Sequence, residues 1–221
     1  MKKILNFMKN TKVKSCFILI ILLSFYVFIC AYSYVQAISE DLQNSVFRLH
    51  VIANSDSEED QNLKYIVRDN LLNYMKEICK DCTNKEEAIK IVTSNLEQFK
   101  QIAENTVKEQ GYSYNINLKI GEFEFPTKTY GDISFPAGIY DALKVEIGEA
   151  SGHNWWCVMF PPLCFVDITS GTVPDSSKEM LENELNEEEF ALISDDSSSD
   201  IQFKFKLLEL FSNTGLLTAK N

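Results

Sequence analysis

The feature that most constrains this chain is an uncharged run, SCFILIILLSFYVFICAYSYV, at residues 15–35. About 20 apolar residues suffice to cross a bilayer as a helix, the form in which each backbone group finds its partner without water. Nothing in the run is polar enough to give such a helix a water-facing side. Lys2, Lys3, Lys9, Lys12 and Lys14 form a basic leader at residues 1–14, and no lysine or arginine follows the run until Arg48. This asymmetry puts the leader in the cytoplasm and the rest of the chain outside it. Residues 15–37 are then either a retained anchor or a signal peptide cut near Ala37. Val35, Gln36 and Ala37 make a small-residue site, whereas the apolar run is longer than a usual signal core.

The exported remainder is strongly acidic. Of 21 basic and 32 acidic side chains, five lysines belong to the leader, so 16 basic groups stand against all 32 acids beyond it. Such a surface argues against nucleic acid as a partner, since phosphate binding needs clustered Lys and Arg. It would also be repelled by anionic headgroups, which leaves residues 15–35 as the membrane contact.

Periodicity orders the body. In VFRLHVI, at residues 46–52, Phe47, Leu49 and Val51 alternate with Arg48, His50 and Ile52, as in a strand with one sheltered face. ANSDSEED then offers two capping boxes, Ser55 with Glu58 and Ser57 with Asp60, so a helix should begin near Ser57. Its stripe is Leu63, Val67, Leu71, Tyr74 and Ile78, and it runs out between Cys79 and Cys82. A second helix is expected after Thr83, boxed with Glu86, carrying Ile89, Val92, Leu96, Phe99, Ala103 and Val107 as far as Gly111.

The period then changes to two. Tyr112, Tyr114, Ile116, Leu118 and Ile120 mark one strand, residues 122–130 a second, and Leu143, Val145 and Ile147 a third beyond Pro136 and Gly138. WWCVMF, at residues 155–160, reads as a strand buried on both faces and stopped by Pro161 and Pro162. The expected fold is α+β: an N-terminal membrane or signal helix, then a mainly antiparallel sheet with two helices packed on one side, in a domain at residues 45–170. Residues 171–200 read as an acidic linker, because ten acids stand against Lys178 alone between 175 and 200, with a loose helix around 180–190. FKFKLLELF, at residues 203–211, is apolar again, and a C-terminal element at 201–213 should return to the domain.

Three constellations carry chemistry. His153, Cys157 and Asp167 have the residue types of a cysteine hydrolase acting on the cell wall, with thiolate, imidazole base and orienting carboxylate. Against this, Cys157 lies in an apolar strand, where a thiol is not activated. Cys79, Cys82, Cys157 and Cys164 suit either disulfides outside the cytoplasm or plain buried thiols, and would also supply four zinc-binding thiolates, though not in two tight pairs. Arg48 and His50 share one strand face, followed by Asn54, Ser55 and Asp56. With the edge His153, Asn154, Trp155 and Trp156 they form either a recognition patch or a face covered by the next element. An anchored structural domain is the remaining reading.

Three strings, FRLHVIANSDSEEDQNLKYIVRDNLL at residues 47–72, FPAGIYDALKVEIGE at 135–149 and GHNWWCVMFPPLCFVD at 152–167, resemble the stage II sporulation protein R family. A weaker echo lies in FKFKLLELF. The resemblance implies a signalling ligand, not an enzyme and without a cofactor. It would be made in the forespore and exported across the forespore membrane into the intermembrane space of the sporulation septum. The implied partner is the mother-cell membrane aspartic protease that removes the pro-sequence of sigma-E. The long acidic stretch and CKDC at residues 79–82 depart from the family's pattern.

Overall fold

The computed structural model describes residues 11–164 and 173–194. It divides into two compact units, Met1–Ser39 and Glu40–Asn221. The first helix, α1, spans Thr11–Asn44 and contains the window Val13–Cys30, long and apolar enough to cross a membrane, with mean hydropathy 2.5. The large apolar side chains of that window stand bare; Leu19 and Tyr26 are each 65% exposed. Apolar surface so open is costly in water and costs nothing in hydrocarbon.

The second unit is built on a four-stranded mixed sheet. Its strands are β1 (Phe47–Ile52), β2 (Ile116–Phe125), β5 (Gly138–Ile147) and β6 (Asn154–Phe160), in the order β2-β5-β1-β6. β5 runs antiparallel to β2 but parallel to β1, while β6 closes the other edge antiparallel to β1. A parallel pair needs a long crossover. Here it is supplied by α2 (Glu58–Ile78), α3 (Lys85–Ser94), α4 (Leu96–Glu109) and β2 itself. A short hairpin, β3 (Lys128–Tyr130) with β4 (Ile133–Phe135), is inserted between β2 and β5.

The core follows the alternation along the strands. Phe47, Leu49 and Val51 of β1 and Leu143, Val145 and Ile147 of β5 are buried in one cluster with Leu63, Val67 and Leu71 of α2 and Phe99, Ala103 and Val107 of α4. Ser57 caps α2, its hydroxyl accepting from the Asp60 amide at 3.2 Å. Gly111 ends the helical stretch at φ +85°, a conformation that costs glycine little.

Several boundaries differ from those the sequence suggests. The second helix is two, because Asn95 leaves helical geometry at φ −111° and ψ 16°, while its side chain donates to the Ile91 carbonyl at 2.8 Å. An asparagine that satisfies backbone acceptors locally has little need of the helix. The cap of α3 is Asn84, not Thr83, and accepts from the Glu87 amide at 2.9 Å. The two strands expected at 112–120 and 122–130 are largely one. β2 runs unbroken through Gly121 because all ten of its residues pair with β5.

The acidic stretch is not simply a solvated linker. It folds into α5 (Asp175–Glu184) and α6 (Glu187–Ile193), with Leu181 and Ile193 fully buried. Asn186 and Glu189 close a reciprocal capping box on α6, so one of the run's many acids serves as a cap. Asp167 and FKFKLLELF lie outside the described residues.

Candidate functional site

The site residues named above divide into two environments. Arg48 is fully buried, and so is not available as a contact residue. Its guanidinium lies 4.1 Å from the centre of the Phe125 ring and 4.6 Å from that of Tyr140, beneath the β3–β4 hairpin, with the Tyr130 and Phe135 rings further out. Nη2 donates to the Tyr130 hydroxyl at 2.7 Å, and that hydroxyl donates onward to the Trp156 carbonyl at 3.3 Å. Nε and Nη1 have no partner among the described residues. The cover that sequence could not foresee is the aromatic hairpin.

His50 is 6% exposed and is also withdrawn from the surface. The Trp156 ring stacks on it at 3.7 Å between centroids, and Nε2 meets the Asn154 side-chain oxygen at 2.7 Å. Burial pulls its pKa down to about 4, helped by the charge of Lys144 and opposed by the Asn154 hydrogen bond and Glu146. The ring is therefore neutral near pH 7, and its Nε2 proton goes to Asn154. Arg48 and His50 support the sheet edge from beneath.

The loop at residues 54–56 and the edge at 153–156 do come together. Asp56 accepts from the His153 amide at 2.6 Å, and the same oxygen pairs with His153 Nδ1. Ser151 Oγ donates to the Asn54 carbonyl at 2.7 Å, the Gly152 amide to the Ala53 carbonyl at 3.0 Å, and the Glu149 amide to the Asn54 side chain at 3.0 Å. The fit admits no side chain at two glycines: a Cβ on Gly152 would overlap the Ser55 carbonyl, and one on Gly148, at φ +59°, would overlap the Asn54 amide group. Asn54 and Ser55 also donate to buried Asp60, at 2.8 and 2.5 Å. Burial would raise the Asp60 pKa, but these bonds and one from Tyr114 outweigh it and hold the carboxyl below its ordinary value. Asn54, Ser55 and Asp60 thus fix the loop, while His153 and Asp56 stand 74% and 57% exposed at the side chain.

One wall of this site was missed from sequence. On α2, the Arg68 guanidinium lies 4.3 Å from the Trp155 ring centre and 5.0 Å from that of Tyr65, and Tyr65 meets Trp155 edge-on at 5.4 Å. Lys64, 1% exposed, donates to the His153 carbonyl at 3.0 Å and to Gln61 at 2.5 Å. Desolvation first, then the charge of Arg68, lowers its pKa, with Asp56 opposing. The spacing of Lys64, Tyr65 and Arg68 puts them on α2 beside the buried stripe, a signal that the apolar pattern alone overlooks. The result is an exposed edge of two half-buried tryptophans, an Asp–His pair and a stacked arginine. These are residue types that concentrate binding energy at protein interfaces.

The cysteines serve otherwise than a hydrolase or a zinc site requires. Cys79 is joined to Cys82 and Cys157 to Cys164, so none of the four is a thiolate. Cys157 is 1% exposed, and the His153 ring pairs with Asp56. A nucleophile spent in a disulfide and buried in a strand cannot attack a carbonyl.

Compared with known proteins, residues 43–170 match the family model described as stage II sporulation protein R. Over 130 residues the chain is 41% identical to Stage II sporulation protein R of Bacillus subtilis (strain 168), covering 59% of this chain and 58% of that protein. The chain therefore matches less than two thirds of that relative's length. No solved structure matches.

Proposed function

This chain belongs to the stage II sporulation protein R family, and we propose that it is an exported sporulation signal that acts by touching a membrane protein from outside the cytoplasm. The observation that carries this reading is the extent of the family match, residues 43–170, which takes in the α+β sheet and its helices and leaves the apolar segment outside. The partner is the membrane aspartic protease that processes pro-sigma-E, met in the intermembrane space of the sporulation septum. Tethered or cut free near Ala37, the body makes the same contact, which needs only that it lie on the outer side.

Binding by itself changes nothing in such a partner. A ligand activates only by holding the active state more tightly than the resting one. The surface proposed for this contact is His153, Asn154, Trp155 and Trp156 with Asp56, flanked by Tyr65 and Arg68. Asn54 and Ser55 hold its loop, and Arg48 and His50 lie underneath.

The test is co-expression of the full chain with the protease and its pro-sigma substrate in a non-sporulating cell, scoring cleavage. Cleavage that requires the chain and its export supports the reading. No cleavage, or cleavage by a chain kept in the cytosol, overturns it. Within that assay, Trp155→Ala with His153→Ala should abolish cleavage while the body stays folded, and full cleavage by the double variant would displace the proposed surface.

A further inference from the structure

The sheet has two outer strands, and they are not protected alike. β6 stops before Pro161 and Pro162, meets β1 with a register shift between Phe47 and Arg48, and has its Trp156 carbonyl bonded by the Tyr130 hydroxyl. Prolines, irregular register and side-chain cover are among the means that keep an edge strand from pairing with another chain. β2 lacks all three. Its ten residues pair with β5 without a break and include no proline. Among the described residues, neither a strand nor a loop backbone bonds its outer side. At about 3.4 Å per residue this open edge is roughly 34 Å long, well beyond an average strand.

Period two sorts the side chains along it. Ile116, Leu118 and Ile120 face the helices; Ile116 is buried, while Leu118 and Ile120 pack on the core and remain half-exposed. Glu122 and Glu124 continue the same face and are exposed, with no ion pair among the described residues. Glu122 stands opposite Asp141, a second acid, whose cation Lys85 is already held at 2.6 Å. The one cation of β2, Lys119, lies on the other face with Glu146 at 3.5 Å. Beside Leu118 a recess of about 340 Å³, walled by Leu96, Glu97 and Lys100 of α4, leaves room for an added side chain.

We propose that the outer edge of β2 takes an extended segment of a partner protein as a fifth, antiparallel strand. Its apolar side chains lie beside Leu118 and Ile120, and its lysines or arginines beside Glu122 and Glu124. Main-chain bonds hold such a strand, and alternate side chains select it. Opposite charges across a ladder attract and like charges repel, so two free carboxylates on one face choose a basic partner. The body's balance of 16 basic against 32 acidic groups favours the same choice at long range. Because β2 and β6 are the two opposite edges of the sheet, this docking leaves the Trp155 edge uncovered.

The test uses the full chain in detergent and a synthetic peptide, acetylated and amidated, of sequence Lys-Thr-Lys-Thr-Val-Thr-Val. In antiparallel pairing its lysines meet Glu124 and Glu122, and its valines meet Ile120 and Leu118. At millimolar peptide, hydrogen–deuterium exchange should slow within residues 116–125 and stay unchanged in β6. The same peptide with Glu in place of both Lys should bind about tenfold more weakly. Glu122→Lys with Glu124→Lys, both at exposed positions, should reverse that preference. No slowing, slowing in β6 instead, or equal binding of the two peptides would overturn the proposal. So would alternate β2 amides already slow in the free chain, the result expected where the chain's own residues or a second copy cover the edge.

Discussion

Replacing Arg48, whose side chain is fully buried, separates a supporting role from a contact role. If it were a contact residue, replacing it would silence the signal and leave the fold alone. Its burial predicts the reverse. Three contributions decide the size of the effect. Stacking against desolvated aromatic rings is worth about 2 kcal/mol, and the charged hydrogen bond to Tyr130 at 2.7 Å about 1.5–3 kcal/mol. Against them stands the cost of holding a guanidinium away from water with Nε and Nη1 unpartnered among the described residues, several kcal/mol for a buried ion. The balance is close to zero, so Arg48→Met, which keeps the volume and removes the charge, should change stability by less than about 2 kcal/mol. Arg48→Ala also empties the cage under Phe125 and Tyr140, and should cost about 3 kcal/mol, or roughly 6–12 °C in Tm for a body of this size. Thermal unfolding followed by circular dichroism measures both, alongside pro-sigma-E cleavage. Arg48→Met should signal like the wild type. If it is stable but silent, the guanidinium reaches the partner and the burial argument fails. If it unfolds as readily as Arg48→Ala, the charge has a counter-charge that the aromatic cage does not account for.

Other perturbations have equally definite outcomes. The His50 pKa lies at about 4, below the ordinary 6.5, so the unfolded chain takes up its proton first and stability should fall as pH drops through that interval. Allowing for solvent screening, the loss should be about 1–2 kcal/mol, and His50→Gln should remove that part of the slope in urea melts taken from pH 7 to 4. Gly152→Ala forces a Cβ into the Ser55 carbonyl and should cost about 2 kcal/mol or more, with faster amide exchange at residues 149–153. A Gly152→Ala chain as stable as the wild type would show that the loop has room to move. The disulfides close short loops, with sequence separations of 3 and 7. By the chain-entropy relation each contributes about 2 kcal/mol, and reduction should lower the denaturant midpoint without abolishing folding.

What the sequence disclosed follows from which patterns are local. The strand at FRLHVI, the cap at Ser57 and the stop at Gly111 are each decided within a few residues, and the structure keeps all three, although it shelters both faces of that strand where the alternation predicts one. The break at Asn95 is also local, but its signal is one side chain turned back on Ile91, indistinguishable in sequence from a polar residue on a helix surface. The parallel pairing of β1 with β5 depends on about ninety intervening residues and leaves no mark in either strand. Arg48 is the same case in miniature. Period two correctly put it opposite Phe47 and Leu49, yet whether that face meets water is decided by the aromatic hairpin, 82 residues away at the Tyr130 hydrogen bond. The wall formed by Tyr65 and Arg68 was hidden for a related reason: it flanks the helical stripe and acquires meaning only once Trp155 lies beside it.

The position of the exposed edge bears on the two fates of the N-terminal segment. The second unit begins at Glu40, beyond Ala37, and takes Leu42 and Val46 into its buried core. Cutting near Ala37 would therefore leave Leu42 and Val46 with the body. Within the body, β1 begins at Phe47, whereas Asp56 and His153 meet past its other end, a strand length of about 20 Å away. A partner that grips the edge has no need to displace residues 40–46. Anchored and released forms should then bind with the same intrinsic affinity and differ only in effective concentration at the membrane. A soluble body added in excess should restore signalling to a strain lacking the anchored chain, and failure to do so with folded protein would show that α1 contributes to recognition itself.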